Sequence, residues 1–156
     1  MKNESTEFRA LLERMTQAIC RGDGNGAAAC FAPEGSYHDG FYGEFRGRDS
    51  IRAMVEQHFH ANARDFSWVL SDALSDGRLG YARYRFTYVS KMASSEGKRV
   101  FFAGICQVRL EDGLIAHYSE IFDRGTALAQ MGFAPERIAK SLARWAEEDE
   151  KASNIP

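Results

Sequence analysis

Basic runs, paired cysteines and long apolar stretches are all missing from this 156-residue chain, and each absence removes a class of function. With a net charge of −2 and no cluster of lysine or arginine, the chain has no electrostatic grip on nucleic acid. Cys20, Cys30 and Cys106 are odd in number and show no CxxC spacing. They read as free thiols in a reducing cytoplasm, not as a disulfide framework or a zinc site. No apolar run approaches the ~20 residues of a membrane span. The opening MKNESTEFRALLER is too charged for a signal peptide, so the expectation is a cytoplasmic protein without a membrane partner. There is no P-loop, G-x-S-x-G or HExxH, and GDGNG follows a helical pattern instead of a strand. His58 and His60, two apart on a helix, point about 200° away from one another and cannot share an ion. No metal and no cofactor is expected.

What remains is an ordinary globular composition, 44% hydrophobic and 27% charged, in a chain long enough for one domain that buries roughly 70% of its unfolded surface. Phe8, Leu11, Leu12, Met15 and Ile19 recur on one face of a helix that Gly22, Gly24 and Gly26 stop. Ala27 to Phe31 could add a helical turn, and Ser36 to Asp39 reads as a short strand. Gly40, Gly43 and Gly47 predict a loop, and Arg48 to Ala63 a second helix with Ile51, Met54, Val55, His58, Phe59 and Asn62 on one stripe. Beyond Asp65 the period changes from 3.6 to 2. Phe66–Leu74, Leu79–Met92, Val100–Leu110 and Leu114–Asp123 are strands, joined by the short glycine-bearing hairpin connections Ser75-Asp76-Gly77, Ala93 to Gly97 and Glu111-Asp112-Gly113. Pro135 to Trp145 is a third helix, and Glu147 to Glu150 reads as its fraying, solvated end. Helices followed by a run of hairpins predict an α+β domain with helices on one face of a curved sheet.

The stretch FAPEGSYHDGFYGEFRGR, Phe31 to Arg48, organises the rest. Its F-A-P-x-x-x-Y-x-D ending in Asp39, the G-R before a helix, and a late D-x-x-x-x-x-x-Q-x-G from Asp123 to Gly132 follow one another at a spacing that resembles the SnoaL-like polyketide cyclases, within the nuclear transport factor 2 and ketosteroid isomerase-like superfamily. The resemblance covers about Phe8 to Phe133. It implies a cone-shaped α+β barrel, with a curved antiparallel sheet wrapped around an apolar pocket and N-terminal helices closing it. Residues 1–134 would form the barrel, and 135–156 the C-terminal helix and tail of the same domain. Homodimers through the outer sheet face are common in the family. The fold hosts isomerases, cyclases, epoxide hydrolases, dehydratases and non-catalytic binders, so it does not set the reaction.

Asp39 matches the position of the general base in the superfamily's isomerases. A carboxylate on the floor of an apolar cone loses hydration and becomes a better base, although a strand end with a turn-forming Asp explains His38-Asp39-Gly40 as well. The isomerases' oxyanion hole uses a tyrosine on the first helix and an acid on the penultimate strand. Here the first helix has no tyrosine and Val100–Leu110 no acid, which argues against steroid isomerisation. Asp123 matches the general acid/base of the cyclases and could equally cap a short helix from Gly125 to Gln130. His117 shares strand parity with Ser119 and Asp123 and could relay a proton, or be simply half-buried. Gln107, with Arg109 on the same face, could donate to a ketone or enolate. Phe41, Tyr42 and Trp68 are candidate pocket walls, and His58 a core residue or pocket-top donor.

Two functions follow. One is a cofactor-independent cyclase or isomerase moving protons on a small, largely apolar carbonyl compound, with Asp39 or Asp123 as base and His117 and Gln107 orienting the substrate. The other is a non-catalytic module that binds a small ligand or supports dimerisation. Epoxide hydrolysis would need an Asp–Arg–Asp network with Arg83 or Arg85 facing inward.

Overall fold

The computed structural model describes residues 2–153; Met1 and the last three residues of the C-terminal tail lie outside the described residues. Helix α1 (Lys2–Cys20) and the short α2 (Gly24–Ala28) precede β1 (Phe31–Asp39) and β2 (Gly43–Arg46). A continuous helical stretch follows: α3 (Arg48–Ala53), a π-helical segment Met54–Phe59, and the turn α4 (His60–Asn62). Then come β3 (Ala63–Ser75), β4 (Leu79–Ser90), β5 (Arg99–Glu111) and β6 (Leu114–Phe122), and the helices α5 (Arg124–Gln130) and α6 (Pro135–Ala152).

The six strands form one sheet in the order β2-β1-β6-β5-β4-β3. The meander β3 to β6 is antiparallel throughout, but β1 lies parallel to β6, so the sheet is mixed. The reason is connectivity: β1 and β2 form their own hairpin, and the α3–α4 crossover carries the chain to the far edge before the meander returns. The sheet curves without closing, with β2 and β3 as its edges. Two bulges bend β3, where register shifts between Arg64 and Ser67 and between Ser71 and Leu74. Asp65 (φ 54°) and Asp72 (φ 53°) occupy them in the left-handed conformation that Asp tolerates better than most residues.

The apolar stripe of α1 is the heart of the core. Phe8, Leu11, Leu12, Met15 and Ile19 are all buried, packed with Ile51, Met54 and Val55 of the second helical stretch. The approach is close, since a Cβ on Gly80 of β4 would fall 2.5 Å from the Phe8 ring. A second cluster gathers Tyr84, Phe86, Val100 and Phe102 of the sheet with Ala127, Leu128 and Met131, and Trp145 from α6 closes it. That helix runs seven residues beyond Trp145 instead of fraying there. Asp149 accepts from Arg124 Nη2 at 2.6 Å, and the same guanidinium lies over the Trp145 ring and donates to the Gly40 carbonyl at 3.2 Å. Among the described residues no helix is long and apolar enough to cross a membrane.

Candidate functional site

Along the inner face of the sheet, alternate residues of four strands converge. Trp68 lies opposite Phe86, Tyr84 opposite Gly104, Gly104 opposite Phe122, and Cys106 opposite Glu120. Trp68, Tyr84, Phe86, Phe122 and Glu120 enclose, with Phe59, Phe66, Leu128, Met131 and Phe133, a cavity of about 200 Å³ whose wall is almost entirely aromatic and aliphatic. Two carboxyl groups break that wall, Asp39 and Glu120. Their nearness follows from the parallel pairing: Tyr37 is opposite Tyr118, and Asp39 and Glu120 are each two residues further along the same inward face.

Asp39 is 6% exposed. Its Oδ1 accepts the backbone N–H of Phe41 at 2.8 Å and of Tyr42 at 2.9 Å, a local turn that favours the ionised form. Burial nevertheless outweighs these bonds and raises its pKa above the usual carboxylate range. The pKa of Glu120 is pushed up to about 8, first by lost hydration and then by the neighbouring Asp39 charge, against the Tyr118 hydroxyl that donates to its Oε2 at 3.1 Å and the Tyr84 hydroxyl. The accessible surface that Glu120 retains includes cavity wall. Two like carboxyls in one apolar site favour one charge and one proton. The backbone bonds place the charge on Asp39 and the proton on Glu120.

Two further polar groups of the wall are unusual. Trp68 Nε1 is buried with no hydrogen-bond partner in the protein, Tyr84 Oη is buried with only the Glu120 carboxyl to engage it, and their rings are neighbours at 5.9 Å. A Cβ on Gly104 would fall 2.7 Å from Tyr84 Oη, so glycine makes room for that hydroxyl.

The other sequence candidates distribute differently. Phe41, Tyr42 and Trp68 line the cavity, with Tyr42 Oη accepting from Asn62 Nδ2 at 2.9 Å. His58 does not line it; its ring sits between Tyr42 and Phe45, 5.2 Å from each, where its charge would help hold Asp39 ionised. Asp123 is exposed, and as N-cap of α5 it accepts from the Thr126 amide at 3.0 Å, which lowers its pKa. His117 faces outward and bonds Ser36 Oγ through Nδ1 at 2.6 Å, its pKa lowered by partial burial. Gln107 also lies on the outer face, donating to the exposed Tyr81 hydroxyl at 2.6 Å. The expected convergence of Asp39, His117 and Asp123 is thus corrected: the inward acid of β6 is Glu120. Among the described residues no arginine lines the cavity, and Arg83 and Arg85 belong to the outer face, Arg83 near Asp72 and Arg85 over Phe101. No three His, Cys, Asp or Glu side chains among the described residues are grouped to hold an ion.

Comparison with known proteins agrees with this architecture. The model of the SnoaL-like domain matches residues 12–118. The chain belongs to the SnoaL-like domain family. No curated protein matches it. Among solved structures, TsrD from Streptomyces laurentii is 24% identical, with a TM-score of 0.69 over 81% of this chain and 96% of that one. A hypothetical protein of ketosteroid isomerase-like fold from Catenulispora acidiphila, solved with trimethylamine, is 18% identical, with a TM-score of 0.71 over 80% and 93%. An LEH-like epoxide hydrolase from M. tuberculosis is 16% identical, with a TM-score of 0.66 over 81% and 85%. These likenesses show a shared fold. The marks that define this SnoaL-like chain are largely structural: Arg48 holds the Phe31 carbonyl with two bonds, and Gln130 pairs with both backbone groups of Phe101.

Proposed function

We propose that this SnoaL-like protein is a cofactor-independent acid/base enzyme, of cyclase or isomerase type, acting on a small, largely apolar carbonyl compound. One observation carries the reading: two carboxyl groups share the wall of a single apolar cavity, in environments that favour a charge on one and a proton on the other. Asp39 takes a proton from the carbon next to the carbonyl as Glu120 gives one to its oxygen, forming an enol. The enol then closes onto a second carbonyl in the same molecule, or, where a double bond is conjugated with it, takes the Asp39 proton at the far carbon of the dienol; in either case its O–H proton returns to Glu120. The two carboxyls exchange protons with the substrate, and nothing is oxidised or reduced. The same reading carries a cytoplasmic setting, which the free thiols of Cys20, Cys30 and Cys106 support.

Exchange of the α-hydrogens of 1-tetralone for deuterium in D₂O, followed by proton NMR, tests the chemistry without the physiological substrate. The protein should accelerate exchange over buffer, and Asp39→Asn and Glu120→Gln should each lower the rate by about 10²–10⁴. Exchange no faster than in buffer, or unchanged in both variants, overturns the reading. The turn bonds accepted by Asp39 favour a second one, a non-catalytic binding module; unaccelerated exchange in a protein that still binds the ketone would establish it.

A further inference from the structure

Glu120 has two carboxyl oxygens, and the packing behind it decides which of them carries the proton. Tyr118 and Glu120 are two apart on β6, so both side chains point inward, and the Tyr118 hydroxyl donates to Glu120 Oε2 at 3.1 Å. Tyr118 has little freedom to do otherwise. It is 1% exposed, stacked on Tyr37 at 4.5 Å between ring centroids and 18° between planes, and met edge-on by Trp68 at 6.4 Å. Glu120 and Tyr37 line the cavity and Tyr118 does not, so Tyr118 stands behind the carboxyl, away from a bound substrate. Burial raises both phenols, Tyr37 and Tyr118, well above their ordinary value, so both keep their protons across the range where a carboxyl titrates. A carboxylic acid accepts best at its carbonyl oxygen and carries its proton on the other. A donor fixed on Oε2 makes that the carbonyl oxygen and leaves the proton to Oε1.

We propose that Tyr118 is a positioning residue: its hydroxyl pins Glu120 Oε2, so that the proton sits on Oε1 and the carboxyl offers it to a substrate in one orientation. This rests on the acid/base reading above, in which Glu120 gives its proton to a carbonyl oxygen and takes it back. Both states of Glu120 then need the same seat. A fixed donor serves both, since Oε2 accepts from Tyr118 whether Oε1 is protonated or not. The bond is stronger to the charged form, so it also makes Glu120 a better acid than burial alone leaves it. Among the described residues the other groups that face this carboxyl are Asp39, whose charge opposes its ionisation, and the Tyr84 hydroxyl and Gly40 amide, which favour it.

Carboxyl-carbon NMR of the full chain follows Glu120 through its titration with no substrate present, its signal identified by its loss in Glu120→Gln. Tyr118→Phe keeps the ring and removes the hydroxyl, and should raise the Glu120 midpoint by about one pH unit. A ring-fluorinated tyrosine at position 118 is a stronger donor of nearly the same shape and should lower the midpoint instead. In α-hydrogen exchange of 1-tetralone, Tyr118→Phe should lose about tenfold in kcat with KM within about twofold, and its alkaline limb should rise with the midpoint. A residue that only packs the core would lower Tm and move neither the midpoint nor the limb. An unmoved midpoint in both proteins, or shifts of the same sign, overturns the assignment. Exchange that the wild-type protein accelerates, with an unmoved midpoint, overturns Tyr118 alone. Shifted midpoints in a protein that does not accelerate exchange overturn the acid/base reading and leave the pinned carboxyl standing. Should Tyr118→Phe fail to fold, the fluorinated residue, which fills the same space, still decides.

Discussion

Glu120 has an opposite effect on stability from that of most carboxylates. Its proton is held to about pH 8 in the fold against an ordinary 4.5. The stability it contributes is therefore complete below about pH 4.5, falls as pH rises from there to about 8, and is gone above. Asp39, also raised, acts in the same direction, whereas Asp23, Asp76 and Asp123 have lowered values that matter only in acid. Glu120→Gln should flatten the fall: little change in Tm against wild type at pH 5 and a clear gain at pH 8, by differential scanning calorimetry. A parallel pair of melting curves from pH 5 to pH 8 would contradict the burial of this group. If Glu120 is also the acid of the reaction, the alkaline limb of the exchange rate should lie near the same pH. The sequence contains the signal for Glu120 in Tyr118-Ser-Glu-Ile-Phe122, an acid between two inward aromatics. It is obscured because inward Ile115 and inward Tyr118 are three apart: β6 breaks register with β5 between Ile115 and His117, so a parity counted from Ile115 selects His117 and Ser119. Asp39 stands in a motif; Trp68 and Tyr84 are ordinary strand aromatics until packing sets them beside Tyr118 and Glu120.

At the scale of elements, the helices and the four long strands are legible because their periods are unbroken and glycine or proline punctuates them. The parts that resist reading lack a period. β2 is four residues long with exposed and half-exposed positions alternating, so glycines on either side make it look like loop. The parallel union of β1 and β6 joins segments some eighty residues apart, and no local pattern encodes it. The π-helical turn at Met54–Phe59 keeps the apolar stripe of a helix but redirects it, burying Met54 and Val55 in the core while Phe59 reaches the cavity. Asp123 belongs to this scale. Its carboxylate satisfies the Thr126 amide at the start of α5, the helix that supplies Leu128 and Met131 to the cavity wall. Asp123→Ala should cost about 1 kcal/mol in urea unfolding, as lost caps do, and Asp123→Asn should recover most of it. Neither should change the α-hydrogen exchange rate by more than about twofold after correction for folded fraction. A hundredfold loss in Asp123→Asn would return this residue to the chemistry.

Over the whole molecule, the two faces of the sheet divide its tasks. Aromatics fill the inner face, and the outer face mixes Arg83, Arg85 and Thr87 with large apolar groups that no described residue covers. Ile105 and Ile121 are cross-strand partners there, 50% and 83% exposed, and Val69 on β3 is 58% exposed. A contiguous exposed apolar patch marks an interaction site. A second copy is the proposed partner, with the apolar pair buried between the sheets. Sedimentation velocity should then give a dimer at micromolar concentration, and Ile121→Arg, which puts like charges together at a two-fold contact, should give a monomer. Because Ile121 points away from the cavity while Glu120 and Phe122 point into it, the monomeric variant should keep its affinity for 1-tetralone within about twofold. A wild-type monomer would remove the proposed interface. A monomer that also loses the ketone would mean instead that β6 depends on its partner to hold Glu120 in place.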